Sequence, residues 1–221
     1  RDSFGASHHV HVYTSIPFDP VRAADFASAG LDELRFHLLD GTTTKYRATM
    51  EACAHHGITV GVELPCEPDK EAQLFALLDD LATVPVSFLN LNELEITVGN
   101  QENMDVRGFN LSGGITAAAE GSAELALRLK EAAADKPYHL KFCTATFKDA
   151  GQLRNRFKRR GQATLRPYEV LSDDDTVLFG AIPASLQDAQ DDMNELRTEL
   201  GMAEGWMRYD AVHQRIELPL S

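Results

Sequence analysis

The feature that most constrains this chain is a recurrence. Short apolar or alternating runs begin at residues 9, 34, 58 and 87, at intervals of 25, 24 and 29 residues. The first three are each followed by a helical pattern. That interval fits one strand, one helix and two short loops. Repeated βα units with right-handed crossovers build a parallel sheet, either doubly wound or closed into a barrel. Punctuation supports the reading. Asp19-Pro20 is a cap-then-proline start, and Gly30 and Gly57 stand where helices should stop. The spacing predicts further helices over 43–55 and 69–81. A fifth run, 139–144, follows a longer gap and precedes a helix over 149–160. The gap holds a polar, glycine-containing stretch, 99–121, before a helix over 122–134. An irregular insertion of this kind after a βα strand is a candidate lid or binding loop. Beyond Gly161 the pattern changes to a strand at 176–182, a helix at 186–200 ended by Gly201, and strands within 207–218. The expected domains are 1–160, a partial (β/α) barrel, and 161–221, a small α+β extension.

Strand side chains alternate between faces, so each strand can be read as two columns. Val10 and Val12 oppose His9, His11 and Tyr13. Leu34, Phe36 and Leu38 oppose Arg35 and His37. Val60, Val62 and Leu64 oppose Gly61 and Glu63. Leu89 and Leu91 oppose Asn90 and Asn92, and Leu140 and Phe142 oppose Lys141 and Cys143. A doubly wound sheet needs strands apolar on both faces. These have one apolar face each, which fits a barrel with helices outside, a polar interior and a site at the C-terminal strand ends. An open antiparallel sheet with a wet face is the competing geometry, and the βα spacing argues against it. Any single polar residue is equally well read as part of a satisfied structural network. Burying the whole group without a ligand would be costly.

Composition narrows the class. With 43 % hydrophobic and 25 % charged residues the chain is globular, not disordered. No apolar run is long enough to span a bilayer. Lys and Arg number 21 against 34 Asp and Glu, a net charge of −13 that repels nucleic acid. The local exception is Lys148, Arg154, Arg156, Lys158, Arg159 and Arg160. This run is either a phosphate- or RNA-binding patch or a cationic end that complements a helix dipole. The cysteines, Cys53, Cys66 and Cys143, are odd in number and lack CxxC spacing, which points to a reducing cytoplasm.

Seven ordered segments carry a family resemblance: HVYTS at 11–15, AGLDELRFH at 29–37, GVELP at 61–65, FLNLNELE at 88–95, RGF at 107–109, FCTATFKD at 142–149 and QLR at 152–154. Together they resemble the radical S-adenosylmethionine enzymes, and most of all the archaeal group related to pyruvate formate-lyase activating enzymes. The resemblance covers roughly residues 8–160. It implies a TIM-like barrel that cleaves S-adenosylmethionine reductively to a 5′-deoxyadenosyl radical, which takes hydrogen from a small-molecule or macromolecular substrate. It also implies a 4Fe–4S cluster and an electron donor. Arg35 and His37 would approach the ribose and carboxylate of the cofactor, Glu63 its adenine side, and Asn92 the adenine or substrate pocket. Tyr13 joins this cofactor-binding set. Lys141 and Cys143 fall where substrate contacts are expected, as catalytic candidates. Cys143 reads equally as a small buried hydrophobe.

The departures matter. The family's CxxxCxxC cluster motif is absent, and soft thiolates are what such a cluster requires. The Gly-Gly-Glu motif that holds the cofactor's amino group is absent as well. The chain starts at Arg1, not Met, so the simplest expectation is that two βα units lie upstream and that this segment alone is inactive. A relative that has lost the cluster is the alternative. From a different class, His11, His37, Glu63, Glu93 and His139 are suitable ligands for a metal-dependent barrel isomerase or hydrolase. However, Asn90 and Asn92 stand where carboxylates would be wanted, and His9-Val-His11 has no partner motif. No protein metal ligand is therefore assigned.

Overall fold

A computed structural model describes residues 5–220. They form two compact units that divide between Thr146 and Phe147. The helix over 154–164, which the sequence reading attached to the last βα unit, therefore belongs to the C-terminal unit.

The N-terminal unit follows the recurrence. β1 (His11–Thr14) leads through a 3-10 turn (Pro20–Arg22) to α1 (Ala23–Ser28). β2 (Glu33–Phe36), α2 (Arg47–His55), β3 (Thr59–Cys66) and α3 (Glu71–Leu81) come next. β4 (Phe88–Glu93), α4 (Gln101–Val106), α5 (Ser122–Ala132) and β5 (His139–Cys143) complete it. All pairings are parallel, in the order β1-β2-β3-β4-β5. The expected βα repetition is present as a five-stranded α/β sheet. Among the described residues it does not close into a barrel.

Helix starts obey local chemistry. The Asp19 side chain accepts the Val21 N–H at 3.1 Å, and Pro20 supplies the fixed φ of a first helical position. Gly57 takes a φ of 77° just past α2, a left-handed turn that side chains with a Cβ resist. The apolar columns of the strands meet the helices on one face. Leu34, Phe36, Val60, Val62, Leu89 and Leu91 are buried against Met50, Leu74, Leu77, Leu78, Leu125 and Leu129. Ser122, fully buried at the start of α5, donates to the Cys66 carbonyl (2.8 Å) and accepts the Leu94 N–H (2.9 Å). It ties the helix to the ends of β3 and β4.

The 99–121 stretch is more ordered than expected. It contains α4 and two isolated β-bridges, and Leu94, Met104 and Ala119 form a small core of their own. Arg107 anchors it, with a two-pronged contact to Asp69 (2.9 and 2.7 Å) and a bond to Glu67 (2.6 Å).

The C-terminal unit opens with a wide helical turn (Phe147–Leu153) that runs into α6 (Arg154–Thr164). A two-stranded pair follows, β6 (Val170–Leu171) with β7 (Val177–Leu178). β8 (Gly180–Pro183), β9 (Arg208–Asp210) and β10 (Arg215–Leu218) form an antiparallel sheet in the order β8-β10-β9. α7 (Ala189–Leu200) packs Met193 and Leu196 against buried Ile216 and ends at left-handed Gly201. The buried Glu217 carboxylate accepts from Tyr168 (2.8 Å), Arg166 (2.9 Å) and Arg215 (2.9 Å). This unit combines two helices with short antiparallel sheets. No helix of the described residues is long and apolar enough to cross a membrane.

Candidate functional site

The strand register places the polar columns side by side. Tyr13, Arg35, Gly61, Phe88 and His139 form one row across the sheet, and Glu63, Asn90 and Lys141 form the next. Pro65, Asn92 and Cys143 form a third. All lie on the face opposite the helix-packed core.

Glu63 is the hub. Its Oε2 accepts from Arg35 Nη1 (2.9 Å), Tyr13 OH (3.3 Å) and Asn90 Nδ2 (3.3 Å), and its Oε1 accepts from Asn92 Nδ2 (3.0 Å). Burial alone would push the Glu63 carboxyl up. The bonds from Asn92, Asn90 and Arg35, with the Arg35 charge, outweigh that and hold it below the usual carboxylate range. Arg35 also donates to the Tyr13 oxygen (2.8 Å) and through Nε to Glu33 (2.6 Å). Burial, helped by the Glu63 charge, raises the Tyr13 phenol, so it stays protonated and able to donate. His37 joins through Nδ1, 3.0 Å from the Glu63 carbonyl.

Arg35 is also sandwiched. Its guanidinium lies 5.3 Å from the Tyr13 ring centroid and 5.4 Å from that of Phe88. Phe88 reaches it by lying across Gly61, where an added Cβ would come within 2.1 Å of the ring. Glycine is needed here for close approach. Gly61→Ala is expected to displace the ring and cost about 1–3 kcal/mol, the usual range for overpacking. A denaturation midpoint equal to that of the parent chain would show that the ring has another resting place.

The five residues expected to hold a cofactor, Tyr13, Arg35, His37, Glu63 and Asn92, thus share one hydrogen-bonded network. Lys141 and Cys143 lie one strand further on, in register with Asn90 and Asn92, and Cys143 is buried. The sequence reading missed Glu33 and the stacking role of Phe88. Glu33 is two residues from Arg35 on the same face, and starting β2 one residue earlier would have revealed it.

The alternative metal set does not assemble. His11, His37, Glu63, Glu93 and His139 share no common point among the described residues. Glu63 is held by amides and a guanidinium, and Glu93 accepts the Ala145 N–H at 2.6 Å. The cysteines do not group either. Burial pushes the Cys53 thiol up to about 11 and the Cys66 thiol up to about 12, so both are protonated packing residues. On α6, Arg154 and Lys158 flank the Asp175 carboxylate at 3.9 Å, while Arg156, Arg159 and Arg160 are exposed.

Two comparisons bear on these observations. No protein-family model matches the chain. The chain is similar to a protein of Methanocaldococcus jannaschii provisionally named a glycyl-radical enzyme activating enzyme, with 30 % identity over 198 residues. The match covers 85 % of this chain and 51 % of that protein, so the chain spans about half the length of the curated relative it matches.

Proposed function

We propose that this chain is the cofactor-orienting portion of a radical S-adenosylmethionine activating enzyme, whose substrate is a partner protein that receives a glycyl radical. The similarity to the archaeal activating enzyme carries the reading. The five-stranded sheet would then be a consecutive run of strands in a larger (β/α) barrel. The strand order and the apolar groove of about 340 Å³ beside β1, lined by Val10, Val12, Phe18 and Phe26 among others, support that arrangement. The unit that ends at Thr146 would form the barrel part and the unit that begins at Phe147 its appendage, working in a reducing cytoplasm with an electron donor.

The network suits part of S-adenosylmethionine. Its internal bonds leave Arg35 Nη2 and the Oδ1 atoms of Asn90 and Asn92 without partners among the described residues. One donor and two acceptors match ribose hydroxyls and an adenine amino group better than they match a bare cation. When bound, the cofactor would supply a carbon-centred radical after one-electron reduction. Glu63 would fix the Arg35 and Asn92 side chains, Arg35 would donate to the guest, and Lys141 and Cys143 would face the substrate. The 99–121 segment, held by Arg107, would shield the site from water. The cysteines present do not fit a 4Fe–4S cluster. Cys53, Cys66 and Cys143 are buried on three different elements.

The test is calorimetric titration of S-adenosylmethionine into the chain. Saturable binding is expected, weakened at least tenfold in Asn92→Ala. No saturable binding, or equal binding by Asn92→Ala, overturns the placement of the site. Anaerobic incubation with ferrous iron and sulfide is expected to leave the protein colourless. A brown chromophore would refute the exclusion of the cluster.

A further inference from the structure

A second group of potential ligands lies in the row before the network, at the N-terminal ends of β1 and β2. His9 and His11 are two residues apart on an extended segment, so both imidazoles project from one face. Glu33 is the cross-strand partner of His11. Each of the three offers one donor atom, and these atoms all lie within 4.8 Å of one another. His9 Nε2 is 3.6 Å from Glu33 Oε2. The His9 and His11 ring centroids are 5.7 Å apart. No other such group occurs among the described residues.

We propose that His9, His11 and Glu33 form a binding site for a divalent first-row transition metal, with one coordination position left to water. Two imidazoles and one carboxylate are a sufficient protein set for a four-coordinate zinc site. Bond lengths near 2.1 Å require donor atoms about 3.4 Å apart, so the group must contract by roughly 1 Å. His9 and His11 are exposed and free to rotate that far, while the backbone between them is fixed. Val10 N–H donates to the Asp32 carboxylate (2.7 Å), and Val10 C=O accepts from Asp32 N–H (3.0 Å) and Glu33 N–H (3.3 Å). Outer partners are also in place. Glu33 Oε1 is occupied by Arg35 Nε at 2.6 Å, which turns Oε2 toward His9. His9 Nδ1 faces Asp32 Oδ2 at 4.0 Å. Such carboxylate–imidazole contacts orient metal-bound histidines. The ion would staple β1 to β2.

This inference does not depend on the proposed function. Its test uses the untagged full chain, Zn²⁺ in competition with a chromophoric chelator, and Co²⁺ absorption as the geometric readout. One equivalent is expected to bind, with an intense four-coordinate Co²⁺ spectrum. His9→Ala and His11→Ala are each expected to weaken binding at least tenfold, and Glu33→Gln similarly. His55→Ala, distant on α2, is expected to bind as the parent does. No binding, stoichiometric binding undiminished in His11→Ala, or equal loss in His55→Ala overturns the site. Circular dichroism of each variant separates lost ligands from lost fold. A zinc-dependent rise in melting temperature, present in the parent and absent in His11→Ala, is the second readout.

Discussion

Glu63→Ala is expected to destabilise the chain by about 2–3 kcal/mol, measured as a lower midpoint in urea. The estimate follows from what the side chain leaves behind. Hydrogen bonds to charged groups are worth roughly 1.5–3 kcal/mol. Arg35 keeps Glu33 but loses its second carboxylate, and the amides of Asn90 and Asn92 lose their shared acceptor. Partial exposure of this face keeps the cost below that of a fully buried broken pair. Glu63→Gln preserves volume and one acceptor, so it should lose less, about 1–2 kcal/mol on the same scale. The pH dependence follows a definite sign. The folded Glu63 carboxyl lies below its unfolded value, so its stabilisation is present above about pH 4.3 and is lost as pH falls through the depressed folded value. Glu63→Gln should remove that acid-side slope. A loss under about 0.5 kcal/mol in the alanine variant would mean that water satisfies Arg35 as well as Glu63 does.

The second large effect is structural. Tyr46 stands at the entry to α2 and is fully buried. Its ring meets Phe36 edge-on at 5.9 Å, and its hydroxyl donates to the Ser15 carbonyl at 2.9 Å. It therefore fixes the chain just beyond β1 against the helix layer, behind the strand that presents Tyr13. Tyr46→Ala is expected to cost about 3–5 kcal/mol, the range for emptying a buried aromatic site. Tyr46→Phe keeps the ring and should cost about 1 kcal/mol through the hydroxyl alone. Equal losses in the two variants would place the energy in the hydrogen bond and not in packing.

These two residues illustrate what the sequence made legible. Glu63 was visible because alternation separates it from Val62 and Leu64, and because each neighbouring strand carries its own apolar column. Side-chain period and βα spacing are local properties, so a sheet face can be read from one chain. Which neighbours bond is not local. The approach of Phe88 over Gly61 and the pairing of Arg35 with Tyr13 and Glu63 depend on register between strands 22 to 28 residues apart, which periodicity alone leaves open. Closure was equally illegible. Each strand looks the same to its own sequence whether its sheet ends or continues. α4 escaped notice because six residues give too little period to detect, and its apolar anchor, Met104, packs against Leu94 and Ala119 on other segments.

One consequence concerns behaviour in concentrated solution. β1 pairs on one side with β2, and among the described residues no strand pairs with its other side. Val12 is 47 % exposed there. The net charge of −13 keeps molecules apart over roughly a Debye length, about 10 Å at ordinary salt. Inside that distance the outer edge of β1 is a template that any extended segment can extend. β5, at the opposite end of the same sheet, presents a second such edge among the described residues. Added salt, by shortening the repulsion without touching either edge, shifts the balance toward association.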